Sequence, residues 1–361
     1  MKDKIIFLFL ICLLISCEND RKSKTVSPRI KSYTKVSSPS NNEIIKKGDS
    51  IFIEIKSMNK NNYIINSKVI IEGDTINFDK KFRFSSNKFI KYGKKQIKII
   101  RQLSNNKIET DIKSVYIYPI DKPKSYSYEI LKILPHDINT YTQGLILYNN
   151  IFFESSGQYG KSFLRKTNSI NGNIIKEIKI DDNYFAEGIT IYDKSIYMLT
   201  WKSKKGFKYD IDSFEKIGEF NYQTEGWGLT TLNNQIVMSD GTEKIYFRNP
   251  HTFDLENTIE VYNNNGKVEN INELETVNGK LYCNIYGKDL ILIIDPNSGL
   301  VIGEINLENI FNRKNYNNTI DVMNGIAYNQ KNNSLIITGK WWPSMYEICL
   351  LYTSDAADDR Y

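Results

Sequence analysis

Apolar and polar residues alternate over short stretches along most of this chain, the pattern of strands with one buried face. Ser50-Ile51-Phe52-Ile53-Glu54-Ile55 alternates with period two, and Lys68 to Thr75 reads as a strand running into a turn. Gln96 to Ile100 and Ser114 to Tyr118 are two more short strands. Several such strands in residues 28–120 predict a small β-sandwich, Ig-like at the level of class. It contains no His, no Cys and no cluster of catalytic type, so it reads as a spacer or docking module. Residues 121–125 form the linker.

The second pattern is a repeat. Short strand-like segments open at Gln143-Gly144-Leu145, Glu187-Gly188-Ile189, Trp227-Gly228-Leu229, Asn272-Glu273-Leu274 and Asn324-Gly325-Ile326, at steps of 44, 40, 45 and 52 residues. Second strands end at Phe153-Glu154-Ser155, Leu199-Thr200-Trp201, Met238-Ser239-Asp240, Asn284-Ile285-Tyr286 and Thr338-Gly339-Lys340. A repeat of roughly 40–50 residues with several strands per unit predicts a β-propeller. The expected fold is therefore all-β: a five-bladed β-propeller over residues 126–348, preceded by the sandwich. The last repeat is short of strands, and Tyr128 to Leu134 ahead of the first repeat can supply one, closing the ring without a free sheet edge. Such a ring brings a carboxylate, three amides and an indole from distant repeats to one channel mouth.

The two ends change the picture. Lys2 and Lys4 precede the apolar run Ile5–Ile15, too short for a membrane helix of ~20 residues and fitting an export signal. Leu14-Ile15-Ser16-Cys17 resembles the lipobox of bacterial lipoproteins. That resemblance implies a signal peptide over 1–17, lipid attached at Cys17, a flexible tether over 18–27, and a bacterial cell-envelope protein facing outside the cytoplasm. Residues 349–361 break from the preceding composition and resemble a translated sequencing adapter, so they are set apart from the fold. One cysteine, Cys283, then remains, which leaves no intramolecular disulfide framework. The net charge of +6 is spread among interspersed acids and indicates a solvated basic surface, with no nucleic-acid partner.

In order along residues 126–347 stand Pro135-His136-Asp137, Tyr141-Thr142-Gln143-Gly144-Leu145, Glu154-Ser155-Ser156-Gly157 and Ser162-Phe163-Leu164-Arg165. Phe185-Ala186-Glu187-Gly188-Ile189-Thr190, Leu199-Thr200-Trp201-Lys202, Gly226-Trp227-Gly228-Leu229-Thr230 and Ser239-Asp240-Gly241-Thr242 follow. Asn272-Glu273-Leu274-Glu275, Asn324-Gly325-Ile326-Ala327 and Thr338-Gly339-Lys340-Trp341-Trp342-Pro343 complete the series. The whole resembles plant- and bacterial-type glutaminyl cyclases, which are five-bladed propellers. The resemblance implies cyclisation of an N-terminal glutamine to pyroglutamate with release of ammonia.

That chemistry needs a group to carry a proton from the attacking amine to the leaving nitrogen, and donors for the developing oxyanion. It needs no nucleophilic side chain, because the attack is intramolecular. By the resemblance Glu187 is the proton shuttle. Gln143 and Lys340 contact the oxyanion or amide, and Asn272 holds the α-amine or a peptide group. Trp201 and Trp227 wall the pocket and can each offer an indole N–H. Tyr141 and Phe185 are aromatic positions beside Gln143 and Glu187. Tyr286 stands where the family often has tryptophan, and Tyr141 where phenylalanine is usual. Glu273, Glu275 and Asp240 stay open between binding substrate, pairing with Lys340 and holding a cation.

The expected partners are peptides and proteins with N-terminal glutamine, acted on by a monomer anchored to a membrane. No cofactor and no catalytic metal is expected; His136 and His251 are the only histidines, too few for a His-rich zinc site, and His136 reads as structural. The family also allows a structural calcium in the channel, although nothing here resembles a calcium loop. Two alternatives stand beside this reading. One is a non-catalytic peptide- or glycan-binding propeller lipoprotein, which would leave Glu187, Gln143, Trp227 and Lys340 together without a task. The other is a lactonase-type hydrolase, which would need a metal-binding carboxylate set.

Overall fold

In the computed structural model, residues 32–58, 61, 63–313, 316 and 320–352 are described. The export signal, Cys17 and the tether lie outside the described residues, as do residues 353–361.

The first unit is a sandwich of two sheets. Strands Thr34–Ser38, Ser50–Ser57 and Lys81–Ser85 form one, in which Ser50–Ser57 is central. Glu43–Lys46, Ile108–Tyr118, Gly93–Leu103, Ile64–Ile71 and Asp74–Phe78 form the other, in that spatial order. The period-two pattern sets which face is buried: Ile51, Ile53 and Ile55 are buried, while Phe52 between them is exposed. Val69, Ile71, Ile97, Ile99, Val115 and Ile117 meet them from the other sheet in one core. Each such side chain contributes about 1.5–3 kcal/mol by leaving water.

The second unit is a β-propeller. Three successive four-stranded antiparallel sheets follow the chain: Thr142–Tyr148 to Ile174–Lys179, Ala186–Tyr192 to Lys216–Asn221, and Leu229–Leu232 to Leu255–Glu260. Apart from a short ribbon of Tyr262–Asn263 and Gly266–Lys267, the remaining strands form an eight-stranded sheet. One half of it runs from Ile271–Val277 to Val301–Asn306. The other consists of Met323–Asn329, Ser334–Gly339, Ser344–Tyr352 and the incoming strand Lys124–Pro135. The inner strands Thr142–Tyr148, Ala186–Tyr192, Leu229–Leu232, Ile271–Val277 and Met323–Asn329 touch in turn, and the last touches the first. They are called units one to five below.

The core of this ring lies between units. One apolar cluster joins unit one to two, through Phe153, Leu164, Ile189 and Phe207. Others join two to three through Leu199 and Met238, three to four through Val237 and Leu281, four to five through Ile291 and Ile337, and five to one through Ile336 and Leu145. Second strands are therefore covered on both faces. Ser195–Thr200 is buried beyond its first residue, which is why Ile196 to Leu199 is an unbroken apolar run. The outermost strand Ile174–Lys179 is wet on one side and alternates.

Two boundaries differ from the sequence reading. Lys124 and Ser125, read as linker, already belong to a strand, paired in parallel with Gly303 and Glu304. From Tyr126 the same strand pairs antiparallel with Ser344–Tyr352 and supplies the strand missing from unit five, so it ties units four and five into one sheet. Cys349 to Tyr352, which composition sets apart, continue that ladder to Tyr352 opposite Tyr126. Backbone pairing, available to any side chain, decides where this strand ends.

The sandwich rests on outer strands and turns of units three and four. Lys94 N donates to Glu260 Oε2 at 2.8 Å, Tyr92 N to Ser298 O at 3.0 Å, and Tyr118 meets Tyr262 edge-on at 5.3 Å. None of these residues lines the pocket described next.

Candidate active site

The glycines after Gln143, Glu187 and Trp227 set the geometry of the channel mouth. A Cβ on Gly144 would lie 2.6 Å from Ile189 N, one on Gly188 2.5 Å from Trp227 O, and one on Gly228 2.0 Å from Asn272 O. Only glycine lets neighbouring inner strands approach so closely. Gly188 N donates to Trp227 O across the unit boundary at 2.7 Å. Gln143, Glu187, Trp227 and Asn272 thus stand side by side at the start of consecutive inner strands. Trp201, Tyr286 and Lys340 each follow directly on the end of a second strand, at Thr200, Ile285 and Gly339.

These elements enclose a cavity of about 260 Å³ lined by Tyr141, Gln143, Phe185, Glu187, Trp201, Trp227, Asn272, Tyr286 and Lys340. The structure brings together every residue that the sequence reading placed in the pocket. Glu187 is only 5% exposed, and Gln143 Nε2 donates to its Oε1 at 3.2 Å. Asn324 Nδ2 in turn lies 3.3 Å from Gln143 Oε1 and fixes the orientation of that amide. Burial pushes the Glu187 carboxyl well above the usual carboxylate range; Lys340 opposes this and Glu225 adds to it. Burial lowers the Lys340 ammonium, against the pull of Glu187 and Asp321. Lys340 Nζ lies 4.6 Å from the Tyr141 ring centroid and 5.4 Å from that of Tyr286. It makes no hydrogen bond or ion pair among the described residues, which leaves its donors for a ligand. Asn272 Oδ1 is also buried without a partner among them. Tyr286, 44% exposed, forms the rim and meets Trp227 edge-on at 5.7 Å.

One expectation needs correction. The indole N–H groups of Trp201 and Trp227 are not free for a ligand: both donate to Glu225 Oε2, at 2.8 and 3.1 Å. The rings offer faces and edges only. Glu225 itself was missed, although it stands two residues before Trp227 as Tyr141 stands before Gln143 and Phe185 before Glu187. That shared offset was the available signal. Asp321 was missed as well; it accepts from the Tyr141 hydroxyl at 3.1 Å. Trp341, at 4.7 Å from Tyr141, backs the same ring.

The open carboxylates resolve into backbone contacts. Glu273 accepts from Ile326 N and Glu275 from Tyr328 N, both at 3.0 Å, so unit four satisfies the inner strand of unit five with side chains. Burial, with Glu275 nearby, raises Glu273 well above the ordinary range, and burial pushes Glu275 up to about 8. Asp240 accepts from Thr242 and from the Tyr246 hydroxyl, and does not line the pocket. His136 lies outside it too. Its Nδ1 is 2.6 Å from Trp342 O and its Nε2 2.9 Å from Glu154 Oε1, joining the entry of unit one to unit five. Arg165 braces the same loop through Asp137 at 2.9 Å and Thr140 at 3.3 Å. Among the described residues no group of three His, Cys, Asp or Glu is arranged to hold a metal ion.

The pocket is thus an aromatic well with a protonatable carboxyl, an unpaired ammonium and an unpaired amide oxygen at its base. It suits a small polar group entering from an open rim.

The family model for glutamine cyclotransferase matches residues 99–350. The chain is 35% identical over 230 residues to a glutaminyl-peptide cyclotransferase of Arabidopsis thaliana, covering 63% of this chain and 72% of that one. The crystal structure of Myxococcus xanthus glutaminyl cyclase superposes with a TM-score of 0.60 at 32% identity, covering 63% of this chain and 98% of that one.

Proposed function

The chain belongs to the glutamine cyclotransferase family, and from that premise we propose that Glu187 carries the proton in its reaction. The activity is that of a glutaminyl-peptide cyclotransferase, closing the N-terminal glutamine of a peptide or protein to pyroglutamate. The neutral α-amine attacks the side-chain amide carbon. A C–N bond forms, Glu187 takes the amine proton, and the carbonyl oxygen becomes an oxyanion. Glu187 then returns that proton to the departing nitrogen as the original C–N bond breaks, and ammonia leaves. The observation that carries this reading is the buried Glu187 carboxyl held by Gln143 beside the unpaired Lys340 ammonium. A carboxyl raised by burial binds a proton more readily than an ordinary carboxylate, so it can take one from the amine and return it to the leaving nitrogen, as a shuttle requires.

Lys340 supplies the charge for the oxyanion in a site poor in water, where such a donor is worth most. Asn272 Oδ1 accepts from the α-amine and so aims its lone pair at the amide carbon. The five aromatic side chains exclude water and leave the peptide beyond residue one to pass over Tyr286. No cofactor enters any step.

The test is ammonia release from a Gln-initiated dipeptide by protein starting at Lys24, with and without a chelator. Glu187→Gln is expected to keep the fold and abolish release, while the chelator has no effect. Full activity in Glu187→Gln would refute the assignment.

The enzyme works outside the cytoplasm as a monomer, held to a membrane by lipid on Cys17, with the Ig-like sandwich as a spacer. Support comes from the apolar run Ile5–Ile15, the lipobox-like Leu14–Cys17 and a pocket lined by none of the residues that contact the sandwich. Cys17→Ser is expected to move the protein from the membrane to the soluble fraction.

A further inference from the structure

We propose that Glu225 is a positioning residue that fixes the Trp201 and Trp227 rings as walls of the substrate pocket. The proposal rests on the reading of this pocket as the cyclisation site. The two tryptophans come from different units and are only partly buried, so each ring needs a partner to select one rotamer. Both indole N–H groups converge on the single oxygen Oε2 of Glu225. The main chain brings that oxygen into place. Gly226 N donates to Trp201 O at 2.9 Å, and a Cβ on Gly226 would lie 2.7 Å from Thr200 O and 2.6 Å from the Tyr222 hydroxyl. Only glycine lets the turn press against the end of the second strand, and the turn then delivers Glu225 between the two indoles.

Each clamped ring also supports another. Phe185 lies 5.5 Å from Trp201, and Tyr286 lies 5.7 Å from Trp227. One carboxylate therefore organises four aromatic walls without lining the cavity itself. Its charge has a second effect. It acts on Glu187 against the pull of Lys340, and so helps keep the Glu187 carboxyl protonated.

Two substitutions separate these roles. Glu225→Gln keeps a carbonyl oxygen able to accept both indole N–H groups and removes the charge; Glu225→Ala removes the acceptor. The chain has four tryptophans, so tryptophan labelled with nitrogen-15 gives four indole resonances. Glu225→Gln is expected to shift two of them, Trp201 and Trp227, and to leave Trp341 and Trp342 in place. Its KM should stay within about threefold of the parent, and the acid limb of kcat/KM should move to lower pH, because Glu187 ionises more readily. Glu225→Ala should shift the same two resonances further and raise KM about tenfold or more, with a smaller change in kcat.

If Glu225→Ala fails to fold, the indole shifts and pH profile of Glu225→Gln decide. Unmoved Trp201 and Trp227 resonances in Glu225→Gln, or an unchanged KM in folded Glu225→Ala, would overturn the proposal. Absence of turnover in the parent enzyme would instead refute the cyclisation reading, and the indole resonances would still decide on Glu225.

Discussion

Gly228→Ala offers a direct test of how the ring assembles the site. The new Cβ would lie 2.0 Å from Asn272 O and 2.8 Å from the Glu273 Cα, both backbone atoms that no side-chain rotation can move aside. Restoring an ordinary separation requires units three and four to part by roughly 1 Å, since buried atoms are already close-packed. Ser239 Oγ would be strained too, because it bonds both Gly228 N at 2.7 Å and Asn272 O at 2.6 Å. Overpacking of this kind costs about 1–3 kcal/mol, or roughly 2–12 °C in Tm for a unit of this size. The same shift displaces Asn272 from Trp227 and Glu187, and a misplacement of ~1 Å can cost about 10²-fold in rate. The assay pairs thermal unfolding with ammonia release from a Gln-initiated dipeptide. Gly218→Ala is the control, because its Cβ would meet nothing closer than Lys208 Cδ at 3.7 Å. Parent-like Tm and turnover in Gly228→Ala would refute the claim that backbone contact at this glycine sets the pocket.

Other outcomes follow from the same geometry. Lys340→Met is expected to lower kcat by about 10²–10³-fold by removing the oxyanion's charge, while Tm holds or rises because an unpaired buried cation is lost; stopped-time ammonia assays and calorimetry check both. Glu275 keeps its proton to about 8 in the folded chain but loses it at the ordinary carboxylate pKa when unfolded. The folded state thus binds more protons between ~4.3 and about 8, and its contribution to stability falls as pH rises through that window. Denaturant titrations of Glu275→Gln should show a shallower decline there; Glu187 and Glu273 act with the same sign, so some slope will remain. Cys283 is fully buried with its thiol pushed up to about 12, so peptide mapping after thiol labelling should find it unmodified until global unfolding.

Residues marked by their immediate neighbours are legible in the amino-acid order. Gln143, Glu187 and Trp227 each precede a glycine at a strand start, and Trp201, Tyr286 and Lys340 each follow a second strand; the repeat marks these positions, but it marks Asp240 equally, and only the resemblance to glutaminyl cyclases singles out the pocket residues among them. Ile51 and Ile53 declare a buried face by alternation alone. Glu225 carries the same offset as Tyr141 and Phe185, yet its task depends on an indole 24 residues away in another unit. Asp321 reaches Tyr141 across 180 residues, and Glu273 finds Ile326 N only where units four and five meet. Composition also misplaced the last strand, because a backbone ladder accepts whatever side chains it is given.

The strands, the repeat and the residues at the channel mouth follow from the order of amino acids, since periodicity and glycine placement are properties of neighbouring positions. Which donors are spent and which remain open is settled by packing between units. That packing ties both indole N–H groups to Glu225 and leaves Lys340 and Asn272 Oδ1 unpaired among the described residues. Hydrogen bonds between units depend on distances of a few ångströms that no single repeat encodes, and they exist only once the ring has closed.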